Sequence, residues 1–264
     1  MKQFVKAHAC GNDFLVVEGE CDRDLAVRLC ARNTGVGADG VEFLEWTGER
    51  SGRIRLVNAD GSIAEISGNG TRCVAAWMAH QKRMPAGAEI TLETDAGQRT
   101  SYLIRLDGHR FEFAAGMGIP VVHDKEITLA DGVKVAGVAV STGNPHFVIF
   151  VEDGSFLAHE RAWQVLGYEI CTHKDFPEQT NVEFVRFIDT TTIEIRIFER
   201  GVGPTSSSGT GTCATAAATI ARRGGSSHLA VCAPGGEQQV EWSGEGSEMT
   251  LTGPAELICV GEAW

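Results

Sequence analysis

No stretch of this chain approaches the roughly 20 apolar residues of a membrane-spanning helix, and its first residues lack the basic stretch and apolar run of a secretory leader. No membrane partner is expected. Positive charge is also scarce: 23 Lys and Arg stand against 35 Asp and Glu, a net charge of −12 with no basic cluster. Nothing there would neutralise a phosphate backbone, so nucleic acid is not an expected partner. The eight cysteines form neither CxxC pairs nor regular spacings, which excludes a disulfide framework and points to buried thiols in a reducing, cytoplasmic setting. The eight histidines are scattered without an HExxH pair, so no metal is expected. Glycine-rich turns are present, but neither carries the lysine of a GxxxxGKS/T phosphate loop.

What the chain does contain is a duplication. Ser67-Gly68-Asn69-Gly70-Thr71 and Ser208-Gly209-Thr210-Gly211-Thr212 each precede an alanine-rich helical run, and they lie 141 residues apart. The same offset pairs Ile54–Val57 with Ile195–Phe198 and Val41–Leu44 with Val182–Val185. Gly11–Val17 answers Gly143–Ile149 at an offset of 132, so an insertion or deletion of nine residues intervenes. A half-length repeat in a chain of 264 residues predicts two similar lobes. The expected division is residues 1–115, with a C-terminal tail 255–264 packed back on them, and residues 116–254, with a crossing near Ala115–Pro120.

Short β-rich runs predict strands at 14–17, 54–57, 101–106, 135–140, 147–150, 181–188 and 193–198. Helical signals are fewer, at 24–33, 72–83, 156–166 and 213–223. The expected class is α+β, each lobe a curved or barrel-like sheet around a helix.

The paired turns carry the chemical argument. The first N–H groups of a helix have no internal partner, the helix dipole adds to their pull on an anion, and Gly68, Gly70, Gly209 and Gly211 permit close approach. If the lobes face one another, one substrate carboxylate could receive N–H groups from both helix ends, with the active site in the interlobe cleft. Such a clamp stabilises charge developing beside that carboxylate, as in a carbanion or enediolate. Ser67 and Ser208 would then flank the reacting carbon, the arrangement for two-sided proton transfer. Each serine is equally a good helix N-cap. Asn12, Asn144 and Asn181 lie at strand or turn positions, and Asn58 and Glu199-Arg200 follow matched strands. Together they suit a small amino-acid or carboxylate substrate, although singly each asparagine reads as a turn residue.

At this point the chain resembles the diaminopimelate epimerase family. The agreement is colinear through His8–Phe14, Asn58–Ser62, Gly68–Cys73, Gly143–His146, Thr180-Asn181, Glu199–Gly203 and Gly209–Gly211. The resemblance implies a cofactor-independent amino-acid epimerase or racemase of lysine biosynthesis, built as two pseudo-symmetric lobes, and leaves a homodimer open. It implies catalytic positions at Ser67 and Ser208, where the family carries cysteines, with His146 and Glu199 assisting. Substrate contacts fall on Asn12, Asn58, Asn144, Asn181, Glu199 and Arg200, and the carboxylate clamp on Gly68, Asn69, Gly209 and Thr210.

Two hydroxyls at the thiol positions exclude ordinary thiol–thiolate epimerisation there, because serine is a far weaker acid than cysteine. Cys73 and Cys213 are the nearest thiols in sequence, but they lie inside helices where packing is expected. Gly40 and Pro204 also depart from the family pattern, at a usual glutamine and a usual acidic position. Two other functions therefore stand beside epimerisation: a lyase or double-bond isomerase using His146 or Glu199 as base, and an amino-acid-binding protein without catalysis.

Overall fold

The computed structural model describes residues 1–64 and 66–264. It forms two compact units, Met1–Ala115 with Thr252–Trp264, and Gly116–Leu251. Unit 1 contains strands β1 (Lys2–Ala9), β2 (Asn12–Glu18), β3 (Gly40–Trp46), β4 (Ser51–Asn58), β5 (Ile63–Ala64), β6 (Glu89–Thr94), β7 (Gly97–Asp107) and β8 (Arg110–Gly116), with helices α1 (Arg23–Cys30) and α2 (Gly68–Gln81). β1 runs antiparallel to β2, β2 parallel to β3, β3 antiparallel to β4, β4 parallel to β6, and β6, β7 and β8 follow as an antiparallel meander. The final strand of the chain pairs with β1 on one side and β8 on the other, which closes the sheet.

Helix α2 fills that barrel. Asn69 to Ala79 are all buried, as a helix surrounded by sheet requires. Small residues such as Ala75, Ala76 and Ala79 let strands approach, while Met78 and Val74 fill space against Leu44, Leu92 and Phe113. The two faces of β3 serve different cores: Val41 and Phe43 pack with Ala26 and Leu29 of α1, whereas Leu44 joins the α2 core.

Unit 2 contains β9 (Val121–Thr128), β10 (Lys134–Ser141), β11 (Pro145–Val151), β12 (Leu157–Ala158), β13 (Arg161–Ala162), β14 (Asn181–Asp189), β15 (Thr192–Glu199), β16 (Gly203–Thr205), β17 (His228–Ala233) and β18 (Gly236–Trp242), with α3 (Trp163–Cys171) and α4 (Gly209–Arg223). The final strand, β19 (Met249–Ala263), begins in this unit and ends in the other. Its sheet repeats the unit 1 order: β10 antiparallel to β11, β11 parallel to β14, β14 antiparallel to β15, β15 parallel to β17, β17 antiparallel to β18. The register repeats as well. Glu42 faces Leu56 across β3–β4, and Glu183 faces Ile197 across β14–β15; Leu15 faces Val41 as Phe147 faces Val182. Helix α4 is enclosed from Gly211 to Thr219 and ends at Gly224, whose left-handed backbone (φ 70°) suits glycine at a helix end.

Two helical expectations need correction. Residues 156–162 are not helix: His159 and Glu160, both at positive φ, make the tight turn of the β12–β13 hairpin, and α3 begins only at Trp163 and runs on to Cys171. Helix α1 stops at Cys30 rather than Asn33, because the chain folds back over its end; a side chain at Gly35 would lie 2.1 Å from the Arg28 carbonyl oxygen. Among the described residues no helix is long and apolar enough to cross a membrane.

Candidate active site

Both glycine-rich segments are the first turns of their helices rather than turns ahead of them. Ser67 and Ser208 have extended backbones and cap α2 and α4; the Gly70 N–H donates to Ser67 Oγ at 3.1 Å, and the Gly211 N–H to Ser208 Oγ at 3.2 Å. No acidic side chain stands in either first turn, so neither helix end is neutralised by its own residues. The two glycines of each turn answer to different demands. Among the described residues, a Cβ on Gly68 would meet nothing within 4 Å. One on Gly70 would lie 2.0 Å from Glu42 Oε1, and one on Gly211 would lie 3.0 Å from Glu183 Oε1. A buried carboxyl group faces the second glycine of each turn, leaving no room for a Cβ at Gly70 and a tight fit at Gly211.

In unit 1, Asn69 is joined to the capped turn and to the β1–β2 hairpin. Its Nδ2 donates to Asn12 Oδ1 at 3.2 Å, and its Oδ1 accepts from Arg72, whose Nε reaches the Pro254 carbonyl oxygen at 3.3 Å. Asn12 Nδ2 donates in turn to Asp39 Oδ2 at 2.6 Å. Asp13 sits in an ion cluster with Lys6 and Arg32, and these cations outweigh its burial and hold its pKa below the ordinary value. Asn58 does not join this network: it faces Gly40 across the sheet and donates to Ser62 Oγ at 3.0 Å. A side chain at Gly40 would meet Leu56 Cδ1 and the Val57 carbonyl oxygen, each at 3.0 Å, so packing holds this position close to glycine.

Unit 2 gathers more of the candidates. Thr142 Oγ1 donates to Asn144 Oδ1 at 3.2 Å, which also meets His146 Nε2 at 3.0 Å, while Asn144 Nδ2 reaches Thr210 Oγ1 at 3.4 Å. Thr210 Oγ1 lies 3.5 Å from Ser208 Oγ. With Asn144 Oδ1 as acceptor, His146 Nε2 carries hydrogen. Its Nδ1 lies 2.7 Å from Glu183 Oε1, and both side chains are fully buried. Burial raises the Glu183 pKa, with His146 opposing that rise. Asn181 is committed to the backbone: its Nδ2 donates to the Pro145 carbonyl and its Oδ1 accepts the Arg200 N–H at 2.9 Å. The exposed Arg200 guanidinium turns to the Glu178 carbonyl oxygen. Pro204 lies in β16 opposite Phe198.

The carboxylates around His146 include one that the sequence did not single out. His146 and Glu199 were both expected to assist the serines; the carboxylate in hydrogen-bonding distance of His146 is Glu183, while Glu199 is close enough to feel the His146 charge. Glu199 is partly buried nearby; desolvation raises its pKa, and the Glu183 charge adds to the rise. Glu42 and Glu183 were not singled out from the sequence, although the signal was present in it. Each is the lone charge in a matched run, Val41-Glu42-Phe43-Leu44 and Val182-Glu183-Phe184-Val185, whose apolar neighbours mark a strand buried on both faces. The thiols of Cys73 and Cys213 are buried within their helices. Burial pushes the Cys73 thiol strongly upward, away from a reactive thiolate.

The same architecture is found in known proteins. The chain is 36% identical over 283 residues to the diaminopimelate epimerase of Acaryochloris marina, covering 98% of this chain and 97% of that protein. It is 34% identical over 285 residues to the diaminopimelate epimerase of Heliobacterium modesticaldum, at 98% and 99% coverage. Among solved structures, a hydroxyproline epimerase from Agrobacterium vitis with bound trans-4-hydroxy-L-proline shares the fold, with a TM-score of 0.68, 19% identity, and coverage of 98% and 91%. Two like barrels, each built around a helix with a capped glycine start, place the protein among the pyridoxal-phosphate-independent epimerases and racemases of amino acids. Residues 4–122 and 138–258 match the diaminopimelate epimerase family, and the chain belongs to it.

Proposed function

We propose that this enzyme inverts the α-carbon of LL-2,6-diaminopimelate or a closely related amino acid by two-sided proton transfer, with Ser67 and Ser208 on the two faces of that carbon. The observation that carries the reading is the twofold occurrence of one device: a serine-capped, glycine-rich helix start with no acidic side chain in its first turn. In this reading the cradles of both units act on one substrate. Main-chain N–H groups near Gly68, Asn69, Gly209 and Thr210 take the reacting carboxylate, and Glu199 takes the ammonium group. Asn12, Asn58, Asn144, Asn181 and Arg200 border the remaining polar groups, several of them as supports for neighbouring backbone rather than as free donors. The full-length relatives called diaminopimelate epimerases support the substrate class.

The test is α-proton exchange in deuterium oxide with diaminopimelate and a panel of amino acids. Deuterium incorporation with a change in optical rotation is expected; binding with neither would defeat the reading. A second reading rests on the two hydroxyls: a lyase or double-bond isomerase acts on a more acidic carbon-bound proton and tolerates loss of a thiol pair better. New ultraviolet absorbance or a changed product mass would select it.

A further inference from the structure

Each unit buries a glutamate against the second glycine of its serine-capped turn. At Gly70 a single methyl position lies 2.0 Å from Glu42 Oε1 and 3.3 Å from Ser67 Cβ; at Gly211 the matching position lies 3.0 Å from Glu183 Oε1 and 3.3 Å from Ser208 Oγ. Glu42 is 1% exposed and Glu183 is fully enclosed. Among the described residues neither oxygen of Glu42 has a hydrogen-bonding partner, and the same holds for Glu183 Oε2. A buried carboxylate with neither oxygen partnered is costly, so Glu42 holds its proton, whereas Glu183, whose Oε1 meets His146 at 2.7 Å, is placed to accept one.

Resting on the epimerase reading above, we propose that Glu42 and Glu183 are the proton carriers behind Ser67 and Ser208, each returning a proton to its serine hydroxyl or taking one from it. When Ser67 protonates the substrate carbanion, its Oγ–H bond breaks and a C–H bond forms. The Glu42 Oε–H bond then breaks as Ser67 Oγ–H re-forms, leaving the negative charge on the Glu42 carboxylate. On the opposite face the steps run in reverse: a substrate C–H bond breaks, its proton goes to Ser208 Oγ, and the Ser208 proton passes to Glu183. Neither serine has to persist as an alkoxide, which is the obstacle that loss of the thiols creates. The relay requires each carboxyl to reach its serine hydroxyl through a turn of the glutamate side chain or one bridging water.

The two carriers differ in their surroundings, which assigns them different resting states. Glu183 is held by His146. Glu42 faces apolar Val16 on β2 and Leu56 on β4, and the nearest titratable group on α2 is the buried Cys73 thiol; Arg72 is turned to Asn69 and the Pro254 carbonyl. Burial alone pushes the Glu42 pKa up to about 8, in keeping with a neutral acid behind Ser67.

The proposal is tested on the full-length protein with Glu42→Gln and Glu42→Asp. Glu42→Gln is expected to keep diaminopimelate affinity, lose on the order of 100-fold in α-proton exchange, and lose the alkaline limb of the rate profile, with Glu42→Asp retaining that limb. An unchanged rate and profile in Glu42→Gln would overturn the proposal. If the parent protein exchanges no α-proton with any amino acid, the epimerase reading fails by itself and infrared spectroscopy decides the relay. Ser67→Ala must then shift the Glu42 carboxylic-acid C=O band, identified by ¹³C-labelled glutamate and its absence from Glu42→Gln; an unmoved band overturns the relay. Should Glu42→Gln fail to fold, Glu42→Asp and the same band shift in Ser67→Ala decide between relay and no relay.

Discussion

Glu42 couples stability to pH. In the unfolded chain its carboxyl ionises near 4.3, whereas in the folded protein it remains neutral up to about pH 8. Below pH 4 both states are protonated and the residue carries no ionisation penalty. Between the two values only the unfolded chain releases the proton, so folded stability falls by about 1.4 kcal/mol per pH unit from this group, and the loss is complete above pH 8. Urea denaturation should therefore show Glu42→Gln gaining on the parent protein by roughly that slope between pH 5 and 8; parallel pH curves would contradict it. His146 presents a different case. Truncation to Ala removes the partner of a fully enclosed carboxyl and should cost about 3–5 kcal/mol, readable in the same experiment. That cost should shrink at low pH, where Glu183 is neutral.

The helix starts show how one element serves two ends. Ser67 and Ser208 satisfy N–H groups at Gly70 and Gly211, so each Ser→Ala change should cost about 1 kcal/mol in stability through loss of the cap alone. Gly70→Ala tests a separate part of the same turn. Alanine is worth up to about 1 kcal/mol more than glycine in a helix interior. Here its Cβ would fall 2.0 Å from Glu42 Oε1, and displacement of that buried carboxyl should reverse the sign to a net loss of about 1–3 kcal/mol. Gly68→Ala meets no atom of the described residues within 4 Å and should leave stability nearly unchanged. Thermal unfolding of the two variants side by side distinguishes a turn shaped for its carboxyl from one merely rich in glycine. The strand patterns at 14–17, 54–57, 147–150 and 193–198 were legible in the sequence because each is a short β-rich run with buried apolar side chains. The hairpin at 157–162 was not, because positive φ at His159 and Glu160 has no marker comparable to glycine.

For the molecule as a whole, the duplication extends from sequence to sheet order and to residue register, so the two units carry the same machinery with different wiring. Unit 2 has the His146–Glu183 pair, whereas among the described residues the matching place beside Glu42 has none. Restoring cysteine at both Ser67 and Ser208 should raise diaminopimelate epimerisation strongly, measured by optical rotation and deuterium incorporation. A rise would locate the limitation in proton transfer, and no rise with intact binding would move attention to Gly40 and Pro204. The sequence by itself determined the repeat, the α+β class, the family, and the positions of the two serine-capped turns, because β-rich runs, capping residues and glycine placement are local signals. Only the tertiary structure decided that His146 meets Glu183, that Asn181 braces backbone, and that Glu42 lies against Gly70 with no hydrogen-bonding partner among the described residues. Those facts depend on which strand neighbours which and on the depth at which each side chain ends, and neither quantity is carried by the spacing of residues along the chain.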